Sequence, residues 1–351
     1  MPVSWRFVVL IAALPILSSA ALAQLVPSPD APPVSHAPPP PPEEQESMGT
    51  LRLNVNLVDL FFTVKDKAGN LVPHLTKDDC SVSEDKVPQT LKNFAPETHL
   101  PLTLGILLDT SGSMDRVLPL EQEAGSQFLE RVLKPKDQAF LLSFDVNVDL
   151  LSDFTNSPRQ LARALGTAQI NTAGGNGAAG VPGLGGGPVP THGTPKGTLL
   201  YDAIYLASNE KLNQEAGRKA MIILTDGDDQ GSRYKISEAI AAAQKSNAII
   251  YVILIADTGF YGNFGYYGYS AGKKLSEETG GRLINVGNNG KKLEAAFAQI
   301  EDELRTQYVA SYTPTNAKQD GTFRHIAVQC KGEEMKVQVR KGYYAPAPEG
   351  R

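Results

Sequence analysis

From Leu51 the chain alternates apolar and polar positions with a period of two. Leu51, Leu53, Val55 and Leu57 are spaced by polar residues, and Leu60-Phe61-Phe62-Thr63-Val64 follows as a second strand-like run. That period sends successive side chains to opposite faces of a sheet. Asp66-Lys67-Ala68-Gly69-Asn70 reads as a turn, and Cys80-Ser81-Val82-Ser83-Glu84 and Thr90-Leu91-Lys92-Asn93-Phe94 add two strands. Four strands are too few to close a stable sandwich. More are predicted at the far end of the chain, from Gln307 to Thr313, Phe323 to Cys330 and Met335 to Arg340. The two flanks are therefore expected to fold together into one β-sandwich, with the intervening segment inserted into it. Insertion is tolerated because domain termini commonly lie close together.

Between the flanks, strand and helix patterns alternate, which predicts an α/β fold with a doubly wound, mostly parallel sheet. Strands are expected at 103–108, 139–144, 148–153, 220–225, 249–255 and 282–286. Only a short turn separates the second from the third, so that pair must be an antiparallel hairpin with an edge strand. Ser157-Pro158 signals one helix start. Ser232, ahead of Ile236, Ala239, Ile240 and Ala243 at helical spacing, signals another.

Two loops interrupt this framework. Residues 171–197 hold 10 glycines and four prolines and read as a flexible insertion. Lys196-Gly197-Thr198 lacks the spacing of a phosphate-binding loop. The second loop, Asp257 to Gly272, carries Phe260, Tyr261, Phe264, Tyr266, Tyr267 and Tyr269 among glycines. Rings on such a loop either offer contact area to a ligand or fold back over the sheet end.

The candidate chemistry sits where strands end. Asp109-Thr110-Ser111-Gly112-Ser113 directly follows the apolar run Leu104–Leu108. One carboxylate and two hydroxyls at the carboxyl end of a parallel strand suit a small hard cation. Thr198 opens the helical stretch Thr198–Ile204, and Asp226 ends the apolar strand Ala220–Thr225 before Gly227. In that order, these residues resemble the metal-ion-dependent adhesion site of the von Willebrand factor A family, D-x-S-x-S, then Thr, then Thr-Asp-Gly. The matching positions are Asp109, Ser111, Ser113, Thr198 and Asp226, and the resemblance covers roughly residues 101–305 without departure at the site. It implies a bound Mg2+, or Mn2+ or Ca2+, with one or both aspartates acting through water. One coordination position would stay open for the Asp or Glu of a protein partner. The flanks are similar to those of secreted, acidobacterial-type proteins related to von Willebrand factor A, including the closing Arg-Lys-Gly-Tyr-Tyr-Ala-Pro of residues 340–346.

Other classes have their own signatures. A structural envelope protein would use the metal only to tie loop ends and work through its proline-rich tether. A metal-dependent hydrolase needs a base or second metal. Asp228 and Asp229 are the extra carboxylates in the right turn, and they read as solvated turn residues. Ser111 and Ser113 have no fixed His or Lys partner in the sequence, so no catalytic residue is assigned and the chain is not expected to be an enzyme.

The beginning of the chain reads as a secretory signal. Arg6 is followed by an apolar stretch from Phe7 to Leu17, too short to span a bilayer, and by Ala21-Leu22-Ala23 as cleavage site. Secreted or periplasmic localisation follows, with no lipoprotein anchor and no later transmembrane run. Residues 27–47 are proline-rich and suit an extended tether. The expected organisation is 1–23 signal peptide, 24–49 linker, 50–97 first part of the sandwich, 98–305 α/β domain, 306–346 second part and 347–351 tail. The formal charge of the 351 residues is −5; loss of Arg6 leaves −6, with Asp30, Glu43, Glu44 and Glu46 ahead of the first strand. The balanced remainder argues against a nucleic-acid or anionic-membrane surface. Five scattered histidines make a zinc site improbable. Cys80 and Cys330 fall on predicted strands in opposite flanks, and form a disulfide in an oxidising compartment if those flanks share a sandwich. The alternative is two unrelated buried thiols.

Overall fold

Leu60, Phe62 and Val64 project from one face of β1 (Val58–Lys65) into an apolar core, as the period of two predicts. The computed structural model describes residues 57–97, 100–170, 197–255, 265–332 and 334–347. The predicted signal segment, the proline-rich linker, the alternation over 51–56, residues 171–196 of the glycine-rich insertion and the tail beyond 347 lie outside them.

The first flank continues with β2 (Cys80–Glu84), β3 (Val87–Gln89) and β4 (Leu91–Pro96). The second supplies β11 (Tyr308–Tyr312), β12 (Phe323–Cys330), β13 (Lys336–Gln338) and β14 (Gly342–Tyr344). They interleave in two four-stranded sheets of order β13-β1-β11-β4 and β14-β12-β2-β3. Val82, Tyr308, Tyr312, Ile326 and Val328 fill the space between. Glu84 is buried there, accepting hydrogen bonds from the hydroxyls of Tyr312 (2.8 Å) and Tyr343 (2.9 Å). Such partners are what make a buried carboxylate tolerable. Cys80 and Cys330 face each other in the β2–β12 register and are disulfide-bonded.

Between β4 and β11 comes the α/β domain. Its strands are β5 (Leu102–Asp109), β6 (Gln138–Phe144), β7 (Val148–Thr155), β8 (Arg218–Thr225), β9 (Ala248–Leu254) and β10 (Leu283–Asn285). Their order is β10-β9-β8-β5-β6-β7, parallel except for the edge strand β7. The described helices are α1 (Leu118–Val132), α2 (Pro158–Leu165), α3 (Leu200–Leu206), α4 (Ile236–Lys245), α5 (Gly265–Thr279) and α6 (Gly290–Arg305). Leu104 and Ile106 of β5 pack with Phe128 and Phe297 on one face of the sheet. Leu107 packs with Phe140, Met221 and Leu275 on the other. A Cβ at Gly105 would lie 2.6 Å from the Phe140 ring, so that position needs glycine to admit the aromatic side chain. The architecture is the one expected from the sequence, a von Willebrand factor A-like doubly wound domain inserted into a sandwich of the two flanks.

Two helix starts differ from expectation. Helix α3 begins at Leu200 rather than Thr198, because Thr198 instead exchanges backbone hydrogen bonds with Gln230, both 3.0 Å. Helix α4 is capped at Lys235, whose N–H is accepted by Glu238 at 2.8 Å, while Ser232 is engaged elsewhere. Among the described residues no helix is long and apolar enough to cross a membrane.

The inserted domain is fastened to the sandwich at Glu303 of α6. Its buried carboxylate pairs with Lys65 of β1 and Arg282 ahead of β10, both at 2.7 Å, and accepts from Gln338 of β13 at 3.1 Å.

Candidate metal centre

Strands β5 and β8 are neighbours in the sheet, yet β6 and β7 lie between them in sequence. The chain leaves β5 toward one edge and continues from β8 toward the other. In doubly wound sheets the crevice at such a reversal of strand order receives the ligand. Parallel register aligns Leu108 with Leu224, so Asp109 and the Thr225-Asp226 pair emerge side by side.

Asp109 is fully buried, and its carboxylate is oriented on both oxygens. Oδ1 accepts from the Ser111 N–H at 3.0 Å and Oδ2 from the Thr225 hydroxyl at 2.7 Å. Thr225 in turn accepts from the Gly227 N–H at 2.9 Å. The hydroxyls of Ser111 and Ser113 are 3.0 Å apart. Asp226 is half-buried at the rim, accepting from the Asp228 N–H at 3.1 Å. The Thr198–Gln230 pairing ties the segment before α3 to the turn after Asp226. The structure thus brings Asp109, Ser111 and Ser113 together, sets Asp226 at the adjacent strand end and joins Thr198 to the same turn.

Burial, and then the charge of Asp226, push the Asp109 carboxyl up to about 7, against the pull of its Ser111 and Thr225 hydrogen bonds. Glu121 of α1 adds a further buried carboxyl beside Asp109. It is fully buried, neither of its oxygens has a hydrogen-bond partner among the described residues, and burial together with Asp109 holds its carboxyl well above the usual range. A divalent cation would take the place of a proton on these raised carboxyls, and a donor set of two carboxylates and three hydroxyls suits a hard ion such as Mg2+. Among the described residues no three His, Cys, Asp or Glu side chains cluster as a metal group, so a site here must draw on hydroxyls.

Sequence reasoning missed Glu121, although it occupies the stripe of Ala124, Phe128 and Val132 at helical spacing on a buried face. It also misread Asp229 as a solvated turn residue. Asp229 is half-buried and accepts from the Tyr201 N–H (3.0 Å) and the Ser232 hydroxyl (2.6 Å), capping α3.

The aromatic loop is corrected in part. Phe260, Tyr261 and Phe264 lie outside the described residues, but Tyr266, Tyr267 and Tyr269 belong to α5, with Tyr269 exposed. The glycines that suggested a loop recur four apart on one helical face. A Cβ at Gly272 would lie 2.7 Å from Leu283, and one at Gly268 would collide with the Asp226 carbonyl. These glycines bring the helix close to the sheet and to the candidate site.

No protein-family model matches the sequence, and a search of curated proteins finds no match. Among solved structures, the chain is similar to proximal thread matrix protein 1 from the mussel byssus, with 13% identity over 63% of this chain and 51% of that one and a TM-score of 0.46. The chain thus spans about half the length of the mussel protein, which has also been solved with a zinc-occupied MIDAS motif. BatB from Bacteroides thetaiotaomicron is 17% identical over 58% of this chain and 99% of that one, with a TM-score of 0.41. The vWF domain of the type V pili tip protein Mfa5 from Porphyromonas gingivalis is 14% identical over 59% and 96%, with a TM-score of 0.43.

Proposed function

We propose that this chain is a metal-dependent, adhesion-type binding module that recognises an Asp or Glu carboxylate of a protein partner. The observation that carries the reading is the pair Asp109 and Asp226 at the point where strand order reverses, with a third carboxyl, Glu121, buried beside Asp109. Asp109, Ser111, Ser113, Thr198 and Asp226 would hold a divalent cation, Mg2+ or else Mn2+ or Ca2+. The bound ion would supply an open position for an external carboxylate. Asp109 is suited to anchoring, since both its oxygens are already oriented; Ser111 and Ser113 offer neutral oxygens that add no further charge. Asp229 is engaged in capping α3, which favours binding over water activation by a nearby base.

We further infer that the mature chain works in the periplasm or outside the cell. The Cys80–Cys330 bond supports this, since such bonds persist in oxidising compartments.

The test uses the immobilised mature chain and a peptide library containing Asp or Glu, with Asn and Gln counterparts. Binding is expected in Mg2+, absent in EDTA, and absent for the amide counterparts. Equal binding in chelator would leave only a structural role for the ion.

A further inference from the structure

At the opposite end of the α/β sheet, where this domain meets the sandwich, lies a cavity of about 560 Å³. Helix α4 starts beyond the Asp226 turn and ends at Lys245, close to the beginning of β9 at Ala248. Its ten residues span about 15 Å, which separates the cavity from the candidate metal centre. The volume is within the range of small-molecule sites.

The lining is strongly unbalanced in charge. Among the described residues Lys92 of β4, Lys245 of α4, Lys318 after β11 and Arg340 before β14 all line it, against one carboxylate, Asp59. Asp59 is already engaged, accepting from the Ser311 hydroxyl at 2.6 Å. Arg340 is only 9% exposed. Its Nη1 donates to Asn247 and its Nη2 to the Asp59 carbonyl at 3.1 Å, but its Nε has no partner among the described residues. Burial lowers the Arg340 pKa to about 10, a change that an added negative charge would reverse.

The walls are fixed in place. Buried Arg324 donates to the carbonyls of Lys318 (2.9 Å) and Asn316 (3.3 Å), holding the loop after β11. Tyr343 lies 5.7 Å from the Arg340 guanidinium, and Tyr344 lies 5.1 Å from the Lys245 ammonium. A largely buried guanidinium in the wall, joined by three lysines on a rigid frame, is suited to multivalent anions. We propose that this cleft is a second binding site, for a ligand carrying two or more carboxylate or phosphate groups.

The test is calorimetric titration of the full mature chain in EDTA, with citrate and tripolyphosphate as separate probes. Saturable one-site binding of at least one probe is expected, and the probe that binds assigns the carboxylate or the phosphate chemistry. Lys245 and Lys318 are exposed, so the double variant K245E/K318E should keep its thermal unfolding temperature while losing affinity by about tenfold or more. Lys291 and Lys292 at the start of α6 are also exposed, and K291E/K292E makes the same change in net charge far from the cleft. That control should bind as wild type does. Absence of saturable binding by both probes, or equal loss in both lysine pairs, overturns the proposal.

Discussion

Gly227 and Gly268 meet backbone to backbone, so that a Cβ on Gly227 would lie 2.6 Å from the Gly268 carbonyl oxygen. Gly227 also has φ +83°, in the left-handed region that glycine enters freely. The turn bearing Asp226 is therefore held by the packing of α5 as well as by its own hydrogen bonds.

Gly268→Ala is expected to push α5 away from that turn, costing about 1–3 kcal/mol of stability. The displaced Asp226 should weaken Mg2+ binding by about tenfold, equivalent to about 1.4 kcal/mol. Urea unfolding and calorimetric metal titration measure the two effects. Unchanged affinity in a destabilised Gly268→Ala protein would dissociate α5 from the site.

Asp109 predicts an unusual pH profile for the metal-free protein. Its carboxyl is raised from 3.8 to about 7 in the fold, so its contribution to stability is complete below pH 3.8 and is lost as pH rises through about 7. In chelator, wild type should lose stability relative to Asp109→Asn over that interval, with a slope of at most about 1.4 kcal/mol per pH unit for one proton. Mg2+ competes with the same proton, so its affinity should fall as pH drops below about 7. Asp109→Asn and Asp109→Ala should stay folded and bind no Mg2+. Wild-type affinity in either would remove Asp109 from the site.

The Cys80–Cys330 bond closes a loop with a sequence separation of 250. In the chain-entropy view, removing it with Cys80→Ser/Cys330→Ser should cost up to about 5 kcal/mol. Intact mass of the non-reduced chain should be two hydrogens below the reduced mass, and denaturant unfolding with and without reductant gives the stability difference. Two free thiols in the purified, non-reduced protein would refute the bond.

Glu303 joins three groups from both parts of the molecule, with its side chain 2% exposed. Glu303→Ala leaves Arg282 and Lys65 without that partner, and should destabilise by about 3 kcal/mol, the lower part of the range for breaking a buried pair, since both cations are partly exposed. Differential scanning calorimetry should show a lower transition temperature. If the α/β domain alone shifts, Glu303 serves that domain's interior instead of the junction.

The most legible elements were those whose physics is local. Strands β5 and β8 are buried on both faces, so they read as continuous apolar runs whose polar ends give Asp109 and Asp226. The flank strands were visible through their alternation. Strands β3 and β14 were not: Val87-Pro88-Gln89 holds a proline, which argues against a strand, and Gly342-Tyr343-Tyr344 opens on a glycine and shows no alternation. Glycine misled at Gly268 and Gly272, where the sequence signal for chain freedom serves close packing instead. Asp229 caps a helix whose acceptor-matched N–H lies 28 residues earlier, a pairing that no local pattern records.

The Cys80–Cys330 bond also determines which parts of the chain can carry mechanical load. Tension applied at the two termini would enter through β1, cross from Cys80 to Cys330 and leave through the last strands, bypassing residues 81–329. The whole α/β domain would hang beside the line of force. An end-to-end pull on the oxidised protein could then straighten its outer segments while the Asp109 strand end and the Asp226 turn remained unstretched, whereas the reduced protein would expose both to the same pull.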